Sequence, residues 1–290
     1  MISLSNAHEK FVEHLKQKGR AEATVIAYSK DIQQLIEFAK HGKIVLASEA
    51  KKETIEAFLT NLSDNRYTKK TISRKINAIK TFFKYLVDET IIESDPAQFI
   101  QHPKFEQSTP RILTKIEYRA LRDTVKEDVR TKAIVEILLQ TGLRISELAN
   151  IKTSNIKMGE GDSQGVLEVP GTSSTPTRSV PLNPAVQDAI KGYLKERPKT
   201  DLDFLFVTKT GHQLLVRNIR ATLARYFKQI ALEDVTVNDL RHTFVAEHLK
   251  RGASVLLVSR IAGHKRLTTT ENYLKYIERK ESGIGELEEL

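Results

Sequence analysis

Residues 238–273 read NDLRHTFVAEHLKRGASVLLVSRIAGHKRLTTTENY, and this stretch decides how the second half of the chain folds. Its apolar spacing predicts helices over 238–251, 254–262 and 268–279. The same stretch sets out Arg241, then the pair Gly263-His264, then Tyr273 nine residues after the histidine. A tyrosine downstream of an arginine and a histidine is a candidate nucleophile for phosphodiester chemistry. Tyr276 is the competitor, about one helical turn further on.

Working back from residue 238, helices are expected over 216–231 and 183–196. Between Asn155 and Leu182 the texture changes. Short segments such as Val166-Leu167-Glu168-Val169 and Arg178-Ser179-Val180-Pro181-Leu182 stand between Gly, Ser, Thr and Pro, which predicts a small antiparallel sheet. Helices over 128–140 and 114–125 precede it, the latter opened by the capping-box pattern Thr114-Lys115-Ile116-Glu117. The segment from Pro103 to Pro110 breaks periodicity and reads as a linker, placing the boundary of two domains, 1–107 and 108–290. The first is all helical: Val25, Tyr28, Ile32 and Leu35, and Ile72, Ile76, Ile79, Phe83 and Leu86, mark apolar faces within helices over 5–18, 22–40, 52–63 and 68–88. Gly42 is expected as a left-handed cap of the second helix and Thr54 as the cap of the third.

Composition narrows the class. The 290 residues are 40% hydrophobic, enough for real cores, and the net charge of +9 suits a polyanionic partner. Cysteine is absent, which excludes thiol catalysis, disulfides and thiolate metal sites. No apolar run approaches a membrane span and the first ten residues carry no signal-peptide core, so a cytoplasmic protein is expected. From Arg66 to Lys84 the sequence holds Arg66, Lys69, Lys70, Arg74, Lys75, Lys80 and Lys84 with no acid. Such a run is either a solvated face or a phosphate-binding one; the absence of acids favours phosphate contacts by Lys69, Lys70, Arg74, Lys75 and Lys80.

At Thr141-Gly142-Leu143-Arg144-Ile145-Ser146-Glu147-Leu148 an arginine follows a Thr-Gly turn. Alone, it reads as well as a partner for a nearby carboxylate. Taken with Val180-Pro181-Leu182, Leu240-Arg241-His242-Thr243-Phe244, Gly263-His264 and Tyr273, in that order and spacing, the chain resembles the tyrosine recombinase (phage-type integrase) family, particularly its short Xer-like members. The likeness extends into the first half through Thr24, Tyr28 and Asp31 and through Ile79-Lys80-Thr81-Phe82-Phe83-Lys84-Tyr85-Leu86.

The resemblance implies a mainly α fold: a SAM-like core DNA-binding domain, then an α-rich catalytic domain with a small antiparallel sheet. It implies cleavage of double-stranded DNA through a 3′-phosphotyrosyl ester on Tyr273, with strand exchange via a Holliday junction. A homotetramer would act on two DNA sites, from a monomer or dimer off DNA. Arg144 and Arg241 would clamp the non-bridging oxygens, and His264 would bond one of them or position the nucleophile. Neither a metal nor any cofactor is implied. His242 and His248 lack zinc-ligand spacing and read as structural.

Two positions depart from the family pattern. Asn238 stands where histidine, sometimes lysine, is usual. The hairpin segment 171–178 holds no lysine to protonate the departing 5′-oxygen. Arg178 is too basic for that role, leaving Lys157 as the nearest substitute. These departures favour a mobile-element enzyme of integration, excision or cointegrate resolution over a chromosomal one, without an arm-binding domain of the phage kind. A type IB topoisomerase-like nicking-closing enzyme and a catalytically impaired DNA-binding relative are the alternatives. Residues 282–290 read as a mobile acidic tail, with Ile284, Leu287 and Leu290 placed to pack on a neighbouring protomer. Nucleoid association would follow from DNA as substrate.

Overall fold

The computed structural model describes residues 1–105, 109–160, 163–171 and 175–277. The chain forms two compact units, Met1–Gln107 and Ser108–Leu290. In the first, four helices, α1 (Leu4–Gln17), α2 (Glu22–His41), α3 (Lys52–Asp64) and α4 (Lys69–Asp88), surround a core centred on Phe11, Ile32, Ile55, Ile79, Phe82 and Phe83. Phe11 and Phe82 meet edge to face with ring centroids 5.3 Å apart, a favoured aromatic geometry. Ser3 and Thr68 cap α1 and α4 through their hydroxyls.

Two expected caps differ. Gly42 has φ −83°, and the left-handed residue is Lys43 at φ 61°, because the chain closes the helix end through Ile44 N–H to the Ala39 carbonyl. Thr54 lies inside the first turn of α3, where its amide donates to the Lys51 carbonyl, so Lys51 is the cap and no side chain closes that end.

The second unit continues with α5 (Lys115–Thr124), α6 (Val129–Thr141) and α7 (Ile145–Ala149). A three-stranded sheet follows: β1 (Ile156–Lys157), β2 (Gly165–Val169) and β3 (Arg178–Leu182). Then come α8 (Pro184–Glu196), α9 (Val216–Gln229), α10 (Val237–Lys250), α11 (Val255–Ala262) and α12 (Leu267–Glu271). Thr114 and Glu117 close the expected capping box on α5, Glu117 N to Thr114 Oγ1 at 3.3 Å and Thr114 N to Glu117 Oε2 at 2.7 Å. Helix α6 is apolar nearly all round, with Ala133 through Leu139 buried, which fits its place in the middle of the unit between α8 and α10. The sheet is antiparallel in the order β1-β2-β3 and sends Leu167, Val169, Val180 and Leu182 into the same core.

The segment expected as one helix over 268–279 is a short α12 and then a 3-10 turn, Asn272–Lys275. Three consecutive threonines, two-branched at Cβ, propagate a helix poorly, and Thr270 turns its hydroxyl to another partner. The tail expected over 282–290, with Ile284, Leu287 and Leu290, lies outside the described residues. Among the described residues no helix is long and apolar enough to cross a membrane.

Candidate active site

Two glycines set the backbone of the site. Gly142 ends α6 at φ 62° and Gly263 ends α11 at φ 69°, both left-handed, where a side chain costs strain. Close packing adds a second reason: a Cβ on Gly142 would stand 2.3 Å from the Phe244 ring, and one on Gly263 would stand 2.7 Å from the Arg178 guanidinium. The turn after Gly142 delivers Arg144, and the turn at Gly263 delivers His264.

Arg144 caps α7, its backbone N–H donating to Glu147 Oε2 at 2.8 Å. Its guanidinium donates from Nη1 to Glu147 Oε1 at 3.1 Å and from Nη2 to the Gly263 carbonyl at 2.8 Å. The carboxylate partner contemplated for this arginine is therefore real, and it orients the side chain without burying it. Arg241, on α10, is buried and donates from Nη1 to the carbonyls of Gly142 and of Ala262, the latter at 2.6 Å. No described residue accepts from its Nε or Nη2. Burial, reinforced by the charge of Arg144, pushes its pKa down to about 10, which leaves it cationic at neutral pH.

His264 Nδ1 lies 2.7 Å from the hydroxyl of the buried Thr270. With that hydroxyl donating, the ring proton sits on Nε2, free to donate to an anion. Burial and then the charges of Arg241 and Arg144 push its pKa down to about 4, so it is neutral at physiological pH. Its ring lies nearly parallel to that of Tyr273, centroids 6.3 Å apart.

Tyr273 sits on the 3-10 turn with only 7% of its surface exposed, and burial pushes its phenol above the ordinary value while Arg241 pulls it back. Its hydroxyl is 2.5 Å from Nδ1 of His242. The reading of His242 as structural is thus corrected: the histidine next to Arg241 holds the candidate nucleophile. Nothing within the linear sequence signals this, since the contact spans 31 positions. Tyr276 stands just past the 3-10 turn and is 40% exposed.

Arg178, from β3, has a side chain only 8% exposed. Its Nη1 and Nη2 fork onto Glu147 at 2.9 and 2.8 Å, and its Nε donates to the Ile261 carbonyl at 2.8 Å. Burial raises the Glu147 carboxyl, but the hydrogen bonds from Arg178 and from the Arg144 amide outweigh it and hold the group below its usual range. Glu147 is a site residue that the motif contained and the sequence reading left without a role.

The sheet does not bring Lys157 beside Arg178. Lys157 pairs with Val166, which pairs with Pro181, whereas Arg178 pairs with Val169. Side chains alternate across a sheet, so Lys157 is on the face opposite Arg178 and three residues away along β2. Asn238 lies exposed in the first turn of α10, three residues before Arg241. The hairpin positions 172–174 lie outside the described residues.

The basic face of α4 is only partly free. Lys75 is buried, its Nζ 2.8 Å from Asp31 and also bonded to Gln34 Oε1 at 2.5 Å, and Arg74 forks onto the same aspartate. The acid missing from the linear run comes from α2, so Lys75 is a core cation and is withdrawn from the phosphate-contact set. Arg74 is half exposed but neutralised. Lys69 and Lys70 are exposed, and Lys80 reaches the Gln98 carbonyl at 3.2 Å. Groups of histidines and acids able to hold a metal ion are absent among the described residues.

With this geometry in place, comparison with known proteins is direct. Residues 111–279 match the phage integrase family and residues 9–90 match the phage integrase N-terminal SAM-like domain, so the chain belongs to the phage integrase family. Tyrosine recombinase XerC of Natranaerobius thermophilus is 31% identical over 278 residues, covering 91% of each chain. Tyrosine recombinase XerD of Oceanobacillus iheyensis is 30% identical over 286 residues, covering 93% of each. Among solved structures, XerA recombinase superposes with a TM-score of 0.53 at 25% identity, covering 92% of each chain. XerH recombinase bound to a palindromic difH substrate does so with a TM-score of 0.73 at 19% identity, covering 95% of this chain and 82% of that one.

Proposed function

We propose that this chain is a site-specific DNA recombinase that cleaves and rejoins duplex DNA through Tyr273. The observation that carries the reading is the convergence of Arg144, Arg241, His264 and Tyr273: Arg144 donates to the Gly263 carbonyl beside His264, Arg241 to the carbonyls of Gly142 and Ala262, and the His264 ring lies nearly parallel to that of Tyr273. Attack of a phenolate on a phosphodiester builds negative charge on the non-bridging oxygens. Arg144 and Arg241 have one edge of each guanidinium fixed on protein acceptors and another left for those oxygens, which is electrostatic preorganisation. Neutral His264 donates from Nε2 to the same charge, and Asn238 offers an amide donor nearby. Tyr273 becomes a 3′-phosphotyrosyl ester and the 5′-hydroxyl departs. The ester retains the bond energy, so rejoining requires no nucleotide cofactor.

Exchange between two sites requires four active centres in symmetric register, hence a homotetramer on DNA that passes through a Holliday junction. Lys69, Lys70 and Lys80 supply phosphate contacts from the helical unit. Asn238 and a hairpin without lysine support service to a mobile element, acting on the nucleoid. The test is covalent trapping on duplexes nicked beside the scissile phosphate. An adduct mapped to Tyr273, lost in Tyr273→Phe while binding survives, is the expected result. Binding without any adduct would identify a catalytically impaired relative, and relaxation of supercoils without junctions between two sites would identify a nicking-closing enzyme.

A further inference from the structure

We propose that His242 is the general base of the cleavage step, its Nδ1 taking the phenolic proton of Tyr273 as Oη bonds to phosphorus. The inference rests on the reading of Tyr273 as nucleophile. The geometry is specific: Nδ1 lies 2.5 Å from the Tyr273 hydroxyl, inside a cluster that also includes Phe244, Val245 and Ala262. A buried phenol does not ionise unaided, because desolvation disfavours its charged form. It needs an acceptor within hydrogen-bond reach, and His242 is the group that touches it. Asn238, in the first turn of the same helix, holds no proton near neutral pH.

The step balances without a further reagent. The Oη–P bond forms, the Oη proton passes to Nδ1, and the P–O5′ bond breaks with its electron pair on the 5′-oxygen, which takes a proton from water. In rejoining, the 5′-hydroxyl loses its proton to water and attacks phosphorus, and the imidazolium of His242 returns its proton to the departing phenolate. The groups facing His242 are Asp239 and Arg241 on its own helix, His264 beyond α11 and Tyr273 on the 3-10 turn. Burial, with Arg241, outweighs Asp239 and keeps the imidazole below its ordinary pKa, hence unprotonated and ready to accept at neutral pH.

The test compares the full-length chain with His242→Asn and His242→Ala in single-turnover cleavage of a nicked duplex across pH, with DNA binding and thermal unfolding of each. Asparagine places an acceptor oxygen where Nδ1 was but cannot hold a proton. For a base, His242→Asn folds, binds DNA and cleaves at least about 100-fold slower, and the acid limb of the wild-type profile disappears. Added imidazole accelerates His242→Ala. Near-wild-type cleavage by His242→Asn with an unchanged acid limb would reduce His242 to a positioning residue and overturn the proposal. Should the asparagine variant fail to fold, rescue of His242→Ala by imidazole decides: acceleration supports the base, and none overturns it. Peptide mapping of the wild-type adduct keeps the two readings apart, since an adduct on another residue refutes the nucleophile, whereas a Tyr273 adduct with a dispensable His242 refutes the base alone.

Discussion

Arg178 closes both Nη groups over the Glu147 carboxylate, at 2.9 and 2.8 Å, and both side chains are buried. Through this pair the strand β3 is tied to the turn that carries Arg144. Glu147→Ala leaves the buried Arg178 unpaired, and loss of about 3–5 kcal/mol of stability is expected. Denaturant titration checks it, with Arg144→Ala as the comparison of smaller effect, since its partner Glu147 keeps Arg178. The pH sign follows from the lowered Glu147 pKa: its contribution is intact above the ordinary value of 4.5 and fades as pH falls below that toward the folded value.

The α4 cations divide by burial. Lys69→Ala, Lys70→Ala and Lys80→Ala are expected to weaken DNA binding, each lowering the salt slope by about one, with stability unchanged. Lys75→Ala removes the bonds to Asp31 and Gln34, and about 1.5–3 kcal/mol of stability goes with them. Binding isotherms across a salt series, together with melting curves, separate the groups. A large fall in salt slope for a still-folded Lys75→Ala would contradict the division.

Thr270→Val keeps the shape of the buried side chain and removes the hydroxyl that orders His264. Cleavage is expected to slow about tenfold, the equivalent of ~1.4 kcal/mol, while binding persists. The lowered pKa of His264 makes the folded state the weaker proton binder between its ordinary 6.5 and about 4, so stability is full above that window and declines as pH falls through it. His264→Gln should flatten this decline. An unaltered stability profile in that variant would show that the histidine is not held neutral by the fold.

How far the sequence reached is visible in particular residues. Arg144 and His264 stand in motifs that also contain the local device that delivers them, Gly142 before Arg144 and Gly263 before His264, whereas Arg241 and Tyr273 are held by partners distant in sequence. Helix periodicity placed α1 to α4 within a residue or two. Lys75 was misread because a linear charge run says nothing of Asp31, 44 positions away on another helix. His242 was passed over for the same reason, and Lys157 was misplaced because only strand register reveals which face it occupies. The break between α12 and the 3-10 turn under Tyr273 follows the run of three threonines, a local signal that the apolar spacing alone passed over.

The last prediction concerns the proton that the departing 5′-oxygen needs. Lys157 lies on the opposite face of the sheet from Arg178, Arg178 is locked on Glu147, and Asn238 is no acid, so none of these three is set to supply that proton. Proton transfer to a poor leaving group then limits cleavage. Sulfur in place of the bridging 5′-oxygen leaves as a thiolate and needs no proton, so the thio substrate should be cleaved at least about 100-fold faster than normal DNA, the range of a general-acid contribution. Single-turnover rates on paired substrates measure this, and Lys157→Ala should change neither rate. Equal rates on sulfur and oxygen would place the barrier elsewhere, while selective slowing of the oxygen substrate by Lys157→Ala would mean that DNA binding brings that lysine around the sheet to the scissile phosphate.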